Sequence, residues 1–193
     1  MAKSLQEMTP EELGQLFPID IVPYNPHWKD YFLLEKAEIE RIISPFSLKI
    51  EHFGSTAIPN IAAKPTIDIL VAIPDGEDIK PKIIEKMTDN GYHFTSRIDC
   101  TPPYLMFMKG YTPEGFKGRC FHIHMAPLSH AGLWDRIYFR DYLISHTAVA
   151  KEYEVLKLEL ALKYRNYREG YTEGKAEFIQ KVMETIKSTH YAK

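Results

Sequence analysis

The residues best suited to chemistry lie between Glu51 and Ile73, in the stretch EHFGSTAIPNIAAKPTIDILVAI. One acid, Asp68, interrupts an apolar run between Ile67 and Ile69. Burying an unpaired carboxylate is costly, so Asp68 must sit at an open strand end, accept hydrogen bonds, pair with a cation or hold a metal. Upstream, Gly54-Ser55-Thr56 offers backbone N–H groups, two hydroxyls and no bulk. A strand ending in Gly-Ser, followed by a strand with an inward acid, can set phosphate oxygens against the turn and a divalent metal against the carboxylate. Phosphoryl or nucleotidyl transfer needs those two services. The simpler reading is a tight turn and an acid that caps nearby N–H groups, and the pattern alone leaves both open.

Other polar side chains could complete such a site. Strand alternation in Phe121-His122-Ile123-His124 puts both histidines on one face. Joined to Asp68, and with His52, they would make a metal or phosphate site, although imidazole suits Zn, Mn or Fe better than Mg²⁺. Hydrogen bonding on a half-buried sheet face is the commoner fate of a strand histidine, and it is the reading adopted for His122. Lys64, beside the rigid Pro65 and four residues before Asp68, is placed to reach phosphate or to pair with the acid, or is a solvated loop lysine. Arg136 and Arg140 are spaced i, i+4, with Trp134 and Tyr138 on other faces; in YFRDYL, Asp141 could orient Arg140 toward a phosphate. Surface ion pairing is the alternative for that arginine. Lys157 shares a face with Tyr153 and Tyr164, and Tyr171 precedes Lys175 by four. Basic residues beside aromatics suit a phosphate-holding groove, while amphipathic helix edges account more simply for Tyr153 and Tyr164.

The elements that must position these groups follow from periodicity and punctuation. Thr9-Pro10-Glu11-Glu12 predicts a capped helix to about Phe17. Residues 19–23 alternate like a short or edge strand, and Asn25-Pro26 opens a helix to about Ile43. Strands are predicted over 48–53 and 66–73, flanking a loop at 54–65, and a helix spans Ile79 to Met87, stopped by Asn90-Gly91. Strands then follow at 92–96, 104–109 and 119–125, and helices at 131–145, 148–167 and 173–187, with Thr147 and Thr172 as caps. The reading is α+β: residues 1–18 form an N-terminal helical appendage, and 19–193 one unit, mixed α/β over 19–127 and helical over 128–193.

Composition narrows the classes. A chain of 193 residues can bury a real core. A net charge of −2 gives no general reason to expect nucleic-acid or membrane binding, although a local basic patch can hide in a balanced total. No run is apolar and long enough to cross a bilayer, and the start, MAKSLQEMTPEEL, lacks a signal core, so a cytoplasmic protein is expected. Cys100 and Cys120 are too few for a disulfide framework and too far apart for a close-spaced metal pair. Both are read as reduced and structural, with a redox pair as the alternative.

Gly54-Ser55, then twelve residues, then Asp68 within an apolar strand resembles the opening motif of the DNA-polymerase-β-type nucleotidyltransferase superfamily. More narrowly, HFGSTAIPNIAAKPTIDILV, FHIHM, FRDYL, the Lys157 helix and YTEGKAEF together resemble the GrpB family of that superfamily, from Ile21 to about Ile186. The resemblance implies a nucleotidyltransferase-like mixed sheet with flanking helices and a helical C-terminal part. It adds functional weight to Lys64 and His124. Taken with the residue patterns above, the leading expectation is phosphate or nucleotide contacts at Gly54, Ser55, Thr56, Lys64, Arg140, Lys157 and Lys175, a divalent ion, Mg or Mn before Zn, at Asp68, His124 and His52, and catalytic roles for Asp68 and His124. The chain departs from active nucleotidyltransferases at Leu70, where those enzymes place a second carboxylate. A two-magnesium centre is therefore not expected. Three functions stay open: nucleotidyl transfer to an unknown acceptor, nucleotide binding without catalysis, and metal-dependent hydrolysis.

Overall fold

The computed structural model describes residues 3–97 and 101–191. Its centre is a five-stranded sheet ordered β1-β2-β5-β4-β3, with β1 Lys49–Phe53, β2 Thr66–Ala72, β3 His93–Arg97, β4 Tyr104–Thr112 and β5 Gly115–Ala126. The pairs β1–β2, β3–β4 and β4–β5 are antiparallel, and β2–β5 is parallel. That parallel pair sets the site, because its register puts His122 opposite Asp68 and His124 opposite Leu70.

Alternation divides the two faces. Ile67, Ile69, Val71, Phe121, Ile123 and Met125 form the main core with Ile39 and Ile43 of α2 (Trp28–Ile43) and Ile83 and Met87 of α3 (Lys80–Asp89). The intervening residues Asp68, Leu70, His122 and His124 point the other way, toward α4 (Ala131–Ser145), α5 (Thr147–Lys163), α6 (Arg168–Glu173) and α7 (Ala176–Tyr191). The mixed sheet with flanking helices is of the α+β class expected from sequence.

Helix α1, Pro10–Leu16, has the expected capping box: Thr9 Oγ1 accepts from the Glu12 amide at 3.3 Å, and the Thr9 amide donates to Glu12 at 2.9 Å. It docks closely on the rest of the chain. A Cβ at Gly14 would collide with the Asn166 carbonyl oxygen, and Phe17 packs on Tyr111 and Phe116 at ring-centre distances of 5.1 and 5.0 Å.

Two expected elements differ, and so do two expected caps. The strand at 19–23 reduces to one bridge, Val22 to Ala63. The helix expected at 148–167 ends at Lys163, and α6 follows as a separate turn before α7. The interruption has a tertiary cause: the Arg165 carbonyl accepts from the Ile19 amide at 2.7 Å, and Asn166 Nδ2 donates to the Gly14 carbonyl at 2.8 Å. The N-terminal segment thus takes hold of residues that helical periodicity would have kept. Nor do the two threonines cap: Thr147 is the first residue of α5, and Thr172 lies inside α6 with its hydroxyl bonded to the Arg168 carbonyl. Cys100 lies outside the described residues, and Cys120 is a buried free thiol. Among the described residues no helix is long and apolar enough to cross a membrane.

Candidate functional site

Gly54 ends β1 with φ +71°, and Ser55–Ala57 form one 3-10 turn beyond it. The glycine is required by space as well as by backbone angle. A Cβ there would overlap the Asp68 carboxylate and lie 3.0 Å from Asp68 Cβ and Cγ. Beyond the turn, α5 grips the loop: Lys157 Nζ donates to the Ala62 carbonyl at 2.5 Å, Glu154 accepts from the Ala62 amide, and Lys151 Nζ donates to the Asn60 carbonyl at 2.7 Å. The loop that delivers Lys64 to the sheet end is therefore anchored on a helix.

A cavity of about 160 Å³ opens where the turn, the β2–β5 pair and α6 meet, with Ser55, Thr56, Lys64, Asp68, His122, Arg168 and Lys175 on its wall. The Asp68 side chain is 27% exposed, and its Oδ1 is 3.4 Å from His122 Nδ1. On the far side of the ring, Arg168 donates to His122 Nε2 at 3.3 Å, which assigns the ring proton to Nδ1, facing Asp68. Tyr111 stacks on the same ring at 5.4 Å.

The charges of this site are strongly coupled. Burial raises the Asp68 carboxyl, but the hydrogen bond from His122 and neighbouring positive charge, Lys64 included, outweigh it and hold the group at about 2. Burial pushes His122 down to about 4 against the pull of Asp68, so the imidazole is neutral at pH 7. Burial, reinforced by Arg168, lowers Lys64 to about 7, and burial brings Lys175 to about 8 although Asp68 opposes it. Three basic side chains thus face one carboxylate, in a protein whose overall charge is slightly negative. Such a surplus favours an anion with several negative charges.

The structure sorts the other expected residues. His52 lies opposite Ile69, on the sheet face away from Asp68, where it stacks on Phe32 and meets Thr56 Oγ1 at 3.0 Å. Burial lowers it to about 4. His124 faces the same way as Asp68 but is engaged by the Tyr104 hydroxyl at 3.1 Å and the edge of Phe53. The expected cluster of Asp68, His124 and His52 is therefore not assembled, since alternation puts His52 on the wrong face and the parallel register brings His122 to Asp68 instead. Among the described residues no three His, Cys, Asp or Glu side chains converge as a metal-binding group. Arg140 is committed to the end of β1, donating to the His52 carbonyl at 2.6 Å and Glu51 at 3.0 Å and pairing with Asp141 at 2.7 Å; it does not line the cavity. Lys157, 1% exposed, is spent on Ala62, and Leu70, fully buried, packs with Phe53, Tyr104 and Met106. Ser55, Thr56, Lys64 and Lys175 line the cavity, and Gly54 lies against Asp68 at its edge. His122 and Arg168 join them, the first read from sequence as a structural histidine and the second hidden at the break between α5 and α6.

The GrpB protein family model matches residues 18–185. A UPF0157 protein of Pseudomonas aeruginosa is 36% identical over 165 residues, covering 86% of this chain and 66% of that protein. UPF0157 protein YqkA of Bacillus subtilis is 35% identical over 171 residues, 88% of this chain and 47% of that protein. The chain thus spans about two thirds of the first relative and about half of the second. The crystal structure of the conserved protein GrpB from Enterococcus faecalis matches with a TM-score of 0.77 and 27% identity, over 89% of this chain and 99% of that one. The family model spans most of the chain and the relatives match over more than four fifths of it, so the chain belongs to the GrpB family.

Proposed function

We propose that the cavity binds the phosphates of a nucleotide or related phosphorylated compound, as the ligand site of a nucleotidyltransferase-like protein. The observation that carries this reading is the convergence of Lys64, Lys175 and Arg168 around the Gly54-Ser55 turn, with Asp68 as the facing acid. Ser55 and Thr56 supply hydroxyls to phosphate oxygens, the three basic groups neutralise them, and Gly54 lets the chain pass close to Asp68. A metal centre made of protein ligands alone does not fit this donor set. A hard ion shared between Asp68 and ligand phosphates does fit, because Mg²⁺ is commonly held by one or two carboxylates plus phosphate oxygens. Bound so, it would neutralise charge on the transferred group and orient the attacking oxygen. With its carboxyl near 2, Asp68 is a weak general base at neutral pH, and its service is as a fixed anion. Transfer of the nucleotidyl group to an acceptor hydroxyl is the reaction this arrangement suits. Leu70 favours a second reading, binding without catalysis, because the place of a second metal-holding carboxylate is filled by core.

Calorimetric titration with tripolyphosphate and nucleoside triphosphates, with and without Mg²⁺, tests the proposal. Lys64→Ala and Lys175→Ala should each weaken binding by about 10- to 100-fold, the value of a charge-assisted hydrogen bond. Arg140→Gln should leave it unchanged. Asp68→Asn should abolish any gain from Mg²⁺ while preserving metal-free anion binding. Equal affinities in wild type, Lys64→Ala and Lys175→Ala would refute the site. Transfer of labelled nucleotide to an acceptor would decide between the two readings.

A further inference from the structure

Lys64 and Thr66 line a second cavity as well as the first. It measures about 330 Å³ and lies between the start of α2, the start of β5 and the segment around residues 18–25. Its chemistry is the opposite of its neighbour's: Tyr31 and Phe116 supply aromatic surface beside Pro65, with the buried Trp28 and Ile67 behind them. Arg119 lies over the Tyr31 ring at 3.9 Å, extending that surface with a planar cation. A ligand made only of phosphate has no use for such surface. A ligand with a planar ring does, because an aromatic face stacks on any base whatever its hydrogen-bonding edge.

We propose that the second cavity receives the base of a nucleoside phosphate whose phosphates occupy the first, with Lys64 at the junction. This inference rests on the phosphate site proposed above and adds the class of group attached to the phosphates. The polar side chains beside the ring site are largely engaged within the protein. Asp20 pairs with Arg165 at 2.9 Å, and Asn25 Oδ1 accepts from the His27 amide at 3.0 Å. Recognition is therefore by stacking, and purine and pyrimidine nucleotides should differ modestly.

Trp28 provides a reporter. The chain has two tryptophans, so Trp134→Phe leaves Trp28 as the single one. In that variant, titration with a nucleoside triphosphate should change the tryptophan emission, and tripolyphosphate should leave it unchanged. The unmodified protein should bind the nucleotide about tenfold more tightly than tripolyphosphate, and Phe116→Ala, at a side chain 47% exposed, should erase most of that advantage without altering tripolyphosphate binding. Equal affinity for the two compounds on the unmodified protein, or a silent Trp28, would overturn the inference while leaving the phosphate site intact. Failure of both compounds to bind would overturn both proposals. The ligand comparison needs no variant, so a poorly folding Phe116→Ala protein would not blunt it.

Discussion

Gly54→Ala is expected to cost on the order of 2–6 kcal/mol of folding stability, a large share of what a domain of this size possesses. Two separable terms make up that loss. The residue has φ +71°, where an L side chain carries strain of about 1–3 kcal/mol. The added methyl would also overlap the Asp68 carboxylate, and forcing extra volume into a packed position costs about 1–3 kcal/mol more. Gly91→Ala isolates the first term, since Gly91 has φ +83° and nothing within 4 Å of where its Cβ would stand. Urea denaturation of both variants should show Gly54→Ala as the more damaging. In the Gly54→Ala background, Asp68→Ala should recover part of the loss, because it removes the overlapping carboxylate; the two positions should then be coupled rather than additive. Equal costs at Gly54 and Gly91 would mean that the close approach of turn and acid does not constrain the site.

That coupling also shows what the sequence can reveal. The strand, the Gly-Ser turn and the acid were legible because they are local: an alternating run, a residue without a side chain, and one carboxylate where apolar residues are due. The pairing of acid and histidine was not, since it depends on the register of two parallel strands joined by more than forty residues of intervening chain. Alternation correctly put His122 and His124 on one face, yet only register selects His122 as the neighbour of Asp68. Arg168 escaped for a related reason, because residues 165 and 166 leave the helix only when the N-terminal segment binds them. The cations were the hardest group to sort. Lys157 and Lys175 look alike in sequence, but the first is consumed by a backbone carbonyl and the second faces the cavity. The likeness to the GrpB family gave the fold and the family, whereas the allocation of each basic side chain is a tertiary fact.

Those basic groups predict an unusual pH profile, with maximum stability near pH 9–10 rather than near neutrality. Lys64 and Lys157 are lowered to about 7 and Lys175 to about 8, burial being the main cause in each case, from an unperturbed value of 10.5. Between those limits the unfolded chain holds more protons than the folded one, so stability must rise with pH. Each lysine that differs fully contributes up to about 1.4 kcal/mol per pH unit. On the acid side His52 and His122, lowered to about 4 from 6.5, make stability fall as pH drops through that interval. Above pH 10 the sign reverses, because Tyr111 and Tyr153 are raised to about 12, mainly by burial, and stay protonated longer when folded. Lys157, 1% exposed, should carry more of the alkaline rise than Lys64 and Lys175, which border an open cavity where solvent screens the charge. Lys157→Met should therefore flatten the rise between pH 7 and 10, while losing about 1–3 kcal/mol at high pH because the Ala62 carbonyl forfeits its donor. Urea denaturation from pH 6 to pH 10 reads both effects, and a wild-type maximum near pH 6–7, or a variant curve parallel to wild type, would contradict the assignment. Saturating tripolyphosphate separates the remaining lysines. By pairing with Lys64 and Lys175 it should raise their proton affinity and remove their share of the slope, leaving that of Lys157 in place.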